Sequence, residues 1–99
     1  MYTVIRRYEG LTDAAEVFKR VTEEFAPKLA ERPGFQGYWI VDAGSGVLAT
    51  ISVFDTQEQA DDSTRAAADW VGERLAGLMP NAPQITAGAT TGAAAPVAA

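Results

Sequence analysis

Hydrophobic positions along this chain switch between a two-residue and a roughly 3.6-residue period, and the switches mark its elements. Residues 2–8, Tyr-Thr-Val-Ile-Arg-Arg-Tyr, are rich in β-branched and aromatic types and predict a strand. Glu9-Gly10 breaks it, and Thr12-Asp13 offers a helix cap, with acids nearby where the helix dipole favours them. Apolar residues then recur at Ala14, Phe18, Val21, Phe25 and Leu29, with Val17 beside them, which is one helical stripe. Pro27 falls inside the stripe and predicts a kinked or loosened last turn.

After Pro33-Gly34, residues 35–42 predict a second strand, Ala43-Gly44-Ser45-Gly46 a hairpin loop, and residues 47–54 a third strand. Thr56 with Gln59 fits a capping box at the head of a second helix. Its stripe is Ala60, Thr64, Ala67, Val71, Leu75 and Leu78, with Trp70 to one side. Pro80-Asn81-Ala82-Pro83 ends that helix, and residues 84–89 predict a short last strand. The order β-α-β-β-α-β is the ferredoxin-like, split-βαβ plan of the α+β class: an antiparallel four-stranded sheet with two helices on one face. Residues 1–89 form one domain, and residues 90–99, made of Thr, Gly, Ala and Pro with one Val, are expected to be a flexible tail.

Alternation also sorts the sheet's faces. Phe35, Trp39 and Val41, with Gly37 between them, share a side, as do Val47, Ala49, Ile51 and Val53. The opposite rows carry Tyr38 and Ile40, then Leu48, Thr50, Ser52 and Phe54. Two helices cover one face, and the semi-polar face with Tyr38, Ile40, Leu48 and Phe54 is expected to be covered by a second copy packed sheet to sheet.

Composition sharpens that expectation. The hydrophobic share is 47%, yet 19 of those residues are Ala and only 21 are Leu, Ile, Val or Phe. So thin a core in 99 residues gains from a partner. The chain has no Cys, which excludes disulfides, thiolate metal sites and Cys nucleophiles, and no His, which removes the commonest general base and metal ligand. A net charge of −5 argues against a nucleic-acid partner. No apolar run reaches the roughly 20 residues a membrane span needs, and Met1–Arg7 lacks the layout of a signal peptide. The expectation is a cytoplasmic protein without membrane contact.

The stretch Gly34-Phe35-Gln36-Gly37-Tyr38-Trp39, through Gly44-Ser45-Gly46 to Ile51-Ser52-Val53-Phe54, then Thr56 to Asp61 and Ala68-Asp69-Trp70-Val71, resembles the antibiotic biosynthesis monooxygenase-like proteins of the dimeric α+β barrel superfamily. The resemblance covers residues 2–89 in element order. It implies a homodimer whose sheets form a barrel, with a pocket in each subunit between the sheet and its own helices. It also implies oxidation of polycyclic phenols or quinols by O₂ with neither metal nor flavin, so no cofactor and no metal site are expected. Relatives degrade haem with an Asn-Trp-His set, but this chain has no His and its one Asn, Asn81, lies in a Pro-flanked loop. Phenol-oxidising members use an Asn near a helical Trp, where this chain offers Ser63, Thr64 and Trp70.

Cofactor-free oxygenation needs a dry cavity, a proton acceptor and donors that hold a substrate anion. Trp39, Phe54 and Trp70 are the candidate walls for an aromatic small-molecule ligand; Tyr38, Ser63, Thr64, Arg65 and Asp42 are candidate polar handles. For Trp39 a core position is the favoured alternative, by roughly three to one, since large aromatics carry most burial in a small domain; Trp70 equally fits the edge of the core, and Tyr38 also fits a dimer interface. Arg6-Arg7 reads as ordinary strand-edge charge, since alternation sends the two side chains to opposite faces. Asp61-Asp62 suits the helix dipole, and Gly44-Ser45-Gly46 is a turn rather than a phosphate loop. Two functions remain open: a cofactor-independent monooxygenase, or a non-catalytic dimeric module that binds a hydrophobic small molecule or a partner protein.

Overall fold

The computed structural model describes residues 1–94. Its elements are β1 (Tyr2–Tyr8), α1 (Ala14–Arg20), a π-helical turn (Val21–Phe25), α2 (Ala26–Ala30), β2 (Phe35–Gly44), β3 (Val47–Phe54), α3 (Gln57–Arg74) and β4 (Gln84–Ala89). The sheet order is β2-β3-β1-β4 and every pairing is antiparallel, so the fold is the ferredoxin-like α+β arrangement expected from the sequence. Part of the expected tail, residues 95–99, lies outside the described residues. Thr90 extends the β4 edge: its N–H donates to the Met1 carbonyl at 2.9 Å, and its hydroxyl lies 2.6 Å from that of Thr3.

Caps fall where the sequence places them. The Asp13 side chain accepts from the Glu16 N–H, and Thr56 and Gln59 close a reciprocal capping box at the start of α3. Between α1 and α2 the backbone stays right-handed, but the Ala26 N–H reaches back five residues to the Val21 carbonyl. Pro27 explains this wide turn. It has no N–H to give, and its ring needs space where the carbonyl four residues back would crowd it. The buried row is Val17, Val21, Phe25 and Leu29, in steps of four. A regular α-helix would carry such a row sideways by about 40° per step; the wide turn takes up the drift and holds all four over the sheet.

The assignment of sheet faces is reversed from expectation. Val4, Arg6 and Tyr8 of β1, and Leu48, Thr50, Ser52 and Phe54 of β3, are buried beneath the helices. Tyr38 and Ile40 pack against the same core. The open face is the more aliphatic one, with Trp39 55%, Val41 42% and Ile5 40% exposed. Counting apolar residues misassigns the faces because the row beneath the helices includes Arg6, Thr50 and Ser52, polar residues that are nonetheless buried, with Arg6 bonding the Ser52 and Thr64 hydroxyls inside the fold. The flat β-branched row is the one left open. Phe35 also changes sides. An extra residue at Gln36 shifts the β2–β3 register, so Phe35 pairs with Phe54 and meets it edge-on at 5.9 Å. On the open face the Trp39 ring lies over Gly37, where a Cβ would come within 2.5 Å of the indole, so only glycine admits the ring there.

Candidate functional site

Two layers meet over β1. Beneath are Arg6 and Tyr8 of β1, Tyr38 of β2, and Leu48 and Thr50 of β3; above are Val21 and Phe25 of the π-helical turn and Ala67, Trp70 and Val71 of α3. They enclose a cavity of about 20 Å³, room for one water molecule. Phe25 is the keystone of an aromatic cluster. Its ring lies 5.2 Å from that of Trp70 and 6.0 Å, edge-on, from that of Tyr38. Trp70 is on the buried row of α3 with Ala60, Ser63 and Ala67, not beside the stripe, because burial follows steps of three, four and three.

Arg6, Tyr8, Val71 and Met79 also line an outer cleft of about 240 Å³. Its other walls are Thr64 and Ala68 of α3, the loop Pro80-Asn81-Ala82-Pro83, and Ile85 of β4. The Asn81 side chain holds the loop in place by donating to the Glu9 carbonyl at 3.2 Å. Cavity and cleft thus adjoin, with Arg6 among the residues they share.

The electrostatics centre on Arg6, which is only 3% exposed. It donates to the Ser52 hydroxyl at 3.3 Å and to the Thr64 hydroxyl at 2.6 Å. Its Nε has no acceptor, and neither has the buried Nε1 of Trp70. Burial pushes the Arg6 guanidinium below its usual pKa, with Tyr8 and Tyr38 partly opposing. Burial also raises Tyr8, against the Arg6 charge. Tyr38 is pushed up to about 12 by burial, against the smaller pull of Thr50 and Arg6. Both phenols therefore act as neutral donors, not bases, at ordinary pH. Among the described residues no carboxylate lines the cavity or the cleft.

The Tyr38 shift has a testable sign. Its folded pKa lies above the unfolded value of 10, so the unfolded chain releases this proton first. Stability is full below pH 10 and falls by about 2–3 kcal/mol on going to pH 12. Urea melts across that window are expected to show the loss, and Tyr38→Phe is expected to remove most of it. A Tyr38→Phe profile as steep as that of the parent would contradict the assignment.

Of the residues singled out from the sequence, the structure brings together Trp70, Tyr38 and Thr64. Trp70 and Tyr38 wall the cavity, and Thr64 walls the cleft and bonds Arg6. Ser63 is fully buried and its hydroxyl donates back to the Ala60 carbonyl, away from the cavity. Phe54 is fully buried against Phe35 and lines neither space. Trp39 stands on the opposite face of the sheet. Arg65 pairs with Asp62 on the exposed side of α3, and Asp42 accepts from the Gly44 N–H at the exposed end of β2. Arg6 was the miss, and its signal was the strand's own alternation. It shares a phase with Val4 and Tyr8, both buried, whereas Arg7 points out and pairs with Glu9.

No family model matches the chain, and no curated protein matches it in sequence. Solved structures do. A putative antibiotic biosynthesis monooxygenase from Nitrosomonas europaea superposes with a TM-score of 0.75 at 18% identity, over 91% of this chain and 89% of that one. A monooxygenase from the gene ActVA-Orf6 of Streptomyces coelicolor, in complex with nanaomycin D, gives 0.74 at 14% identity, over 97% and 92%. A MhuD variant with two manganese protoporphyrin IX bound per active site gives 0.72 at 14% identity, over 97% and 100%. The chain therefore has the fold of the antibiotic biosynthesis monooxygenase-like proteins, as its sequence suggested.

Proposed function

We propose that this protein is a small-molecule oxygenase of the cofactor-independent kind, taking an aromatic phenol, quinol or anthrone between its sheet and its helices. One observation carries the reading: a small aromatic cavity, walled by Trp70, Phe25 and Tyr38, adjoins a cleft of about 240 Å³ that shares Arg6, Tyr8, Val71 and Met79 with it, and two buried donors there have no acceptor among the described residues. The fold it shares with monooxygenases supports it. In an anthrone, the activated methylene between aromatic rings gives a proton to solvent at the cleft, and the resulting anion gives electrons to O₂. One oxygen atom stays as the new carbonyl and the other leaves as water. The substrate supplies all the electrons, so no outside reductant is required. Tyr8, Tyr38 and the Trp70 N–H line the same cavity as Arg6 and would share with it in holding the oxygen of the substrate anion.

We infer further that two copies pair through the open face of the sheet, around Trp39, Val41 and Ile5. The expected sheet-to-sheet contact thus moves to the opposite face from the one the sequence suggested, and each chain keeps its own cavity.

The alternative is a non-catalytic dimeric module for a hydrophobic small molecule or a partner protein. It draws on the small enclosed volume, about 20 Å³, and the lack of a carboxylate base in the site. Oxygen uptake separates the two. With a panel of hydroquinones and anthrones, at least one compound is expected to give protein-dependent uptake. Trp70→Ala is expected to lower that rate at least tenfold. Because truncating a buried Trp costs about 3–5 kcal/mol, Trp70→Phe is run beside it as the better-packed loss of the indole N–H. Absence of uptake on every compound would sink the oxygenase reading.

A further inference from the structure

We propose that the ligand of this site carries one anionic oxygen group, a carboxylate or ionised phenol, on a planar aromatic body, and that Arg6 holds that group. This rests on the reading of cavity and cleft as an aromatic small-molecule site.

The starting point is a charge with no counter-charge. Arg6 is buried, and among the described residues its guanidinium makes no ion pair; the ion pairs formed belong to Arg7, Arg20, Arg65 and Arg74. An isolated buried cation is costly, and removing it from water is offset only by a partner of opposite sign. The neighbours that could share the load are neutral. Ser52 and Thr64 accept through hydroxyls, and burial keeps the Tyr8 and Tyr38 phenols protonated. A guanidinium has five N–H donors, and only two of its contacts are made inside the protein, which leaves Nε without an acceptor.

The unmet groups are also all of one kind. Among the described residues, the buried side-chain atoms without partners are Arg6 Nε and Trp70 Nε1, both donors. Both residues line the cavity, and Arg6 lines the cleft as well. The missing piece is therefore an acceptor, and beside a full positive charge an anionic oxygen is the acceptor that gains most. Beside the polar Thr64 and Asn81, the cleft wall carries Val71, Pro80, Ala82, Pro83 and Ile85, an apolar stretch that suits the hydrocarbon part.

The test is titration of the intact protein with 2-naphthoate, its neutral isostere 2-naphthamide, and 2-naphthol. Naphthoate is expected to bind at least about tenfold more tightly than naphthamide. Arg6→Met is expected to erase that preference while far-UV circular dichroism stays unchanged, and Arg6→Lys is expected to keep part of it as a point charge. Naphthol affinity that climbs as pH ionises the phenol supports the same chemistry in its phenolate form; a flat naphthol profile beside discriminated naphthoate supports the carboxylate. Equal binding of naphthoate and naphthamide would overturn the inference yet leave the aromatic site standing. Binding of none of the three overturns both. A preference that survives in Arg6→Met would take the role away from Arg6.

Discussion

Trp39→Asp is expected to leave the protein folded but monomeric. The parent should sediment at twice 10.5 kDa at micromolar concentration, and the variant at 10.5 kDa. The indole is more than half exposed in the single chain, at 55%, and contributes nothing to the cavity. Truncating or charging it therefore costs little intramolecular packing. At a two-fold interface the same residue occurs twice, and a central aromatic anchor is worth about 2 kcal/mol or more. Two such losses, compounded by a buried carboxylate, weaken the dimer by a factor on the order of a thousand. Naphthoate binding should survive, because each cavity is built within one chain. A parent that sediments at 10.5 kDa throughout would remove the dimer from the account.

Arg6→Met is expected to make the protein more stable while it loses its anion preference. The guanidinium sits in the interior without a carboxylate, and replacing buried charge by an apolar chain of similar length is neutral to stabilising by about 1–4 kcal/mol. The change sacrifices two hydrogen bonds, to Ser52 and Thr64. Thr64 keeps its bond to the Ala60 carbonyl, so that loss is partial. A net gain of about 1–2 kcal/mol would raise the melting midpoint by roughly 5–15 °C in a domain of this size. Thermal denaturation followed by circular dichroism measures it. A midpoint several degrees below that of the parent would mean the guanidinium contributes to folding rather than to a ligand. Stabilisation with loss of binding is the signature of a residue kept for function at the expense of the fold.

Local patterns carried the fold. The strand positions, the Thr56–Gln59 capping box and the Gly-Ser-Gly hairpin are each decided within a few residues, and each is found close to where the pattern puts it, with β2 running on through Gly44 so that the turn tightens to Ser45-Gly46. What failed depends on partners distant in sequence. Which face of the sheet meets the helices was hidden because Thr50 and Ser52, polar on paper, are buried, Thr50 lining the cavity and Ser52 accepting from Arg6. The register shift at Gln36, which carries Phe35 across, is an insertion that alternation alone reads straight through. Trp70, Tyr38 and Thr64, singled out as aromatic or hydroxyl residues, line the cavity or the cleft, whereas Ser63, Phe54 and Trp39 were singled out on the same grounds and line neither, because residue type alone does not tell which way a side chain packs. Arg6 was not singled out, because a strand arginine usually reaches solvent. Only its shared phase with Val4 and Tyr8 gives it away.

The surplus residue in the first helical rod makes Pro27 a phase lock. An unbroken α-helix would swing the row from Val17 to Leu29 by about 120° over its three steps, taking one end off the sheet. Pro27 rules out the regular bonding that would let the turn tighten, so the roof over Arg6 is set by backbone bookkeeping at a site outside the cavity. Residues at 21 and 25 can change the cavity's size, but its alignment with the sheet is inherited from position 27. A proline that looks like a flaw in a helix is here the part that keeps the aromatic lid in register with the charge beneath it.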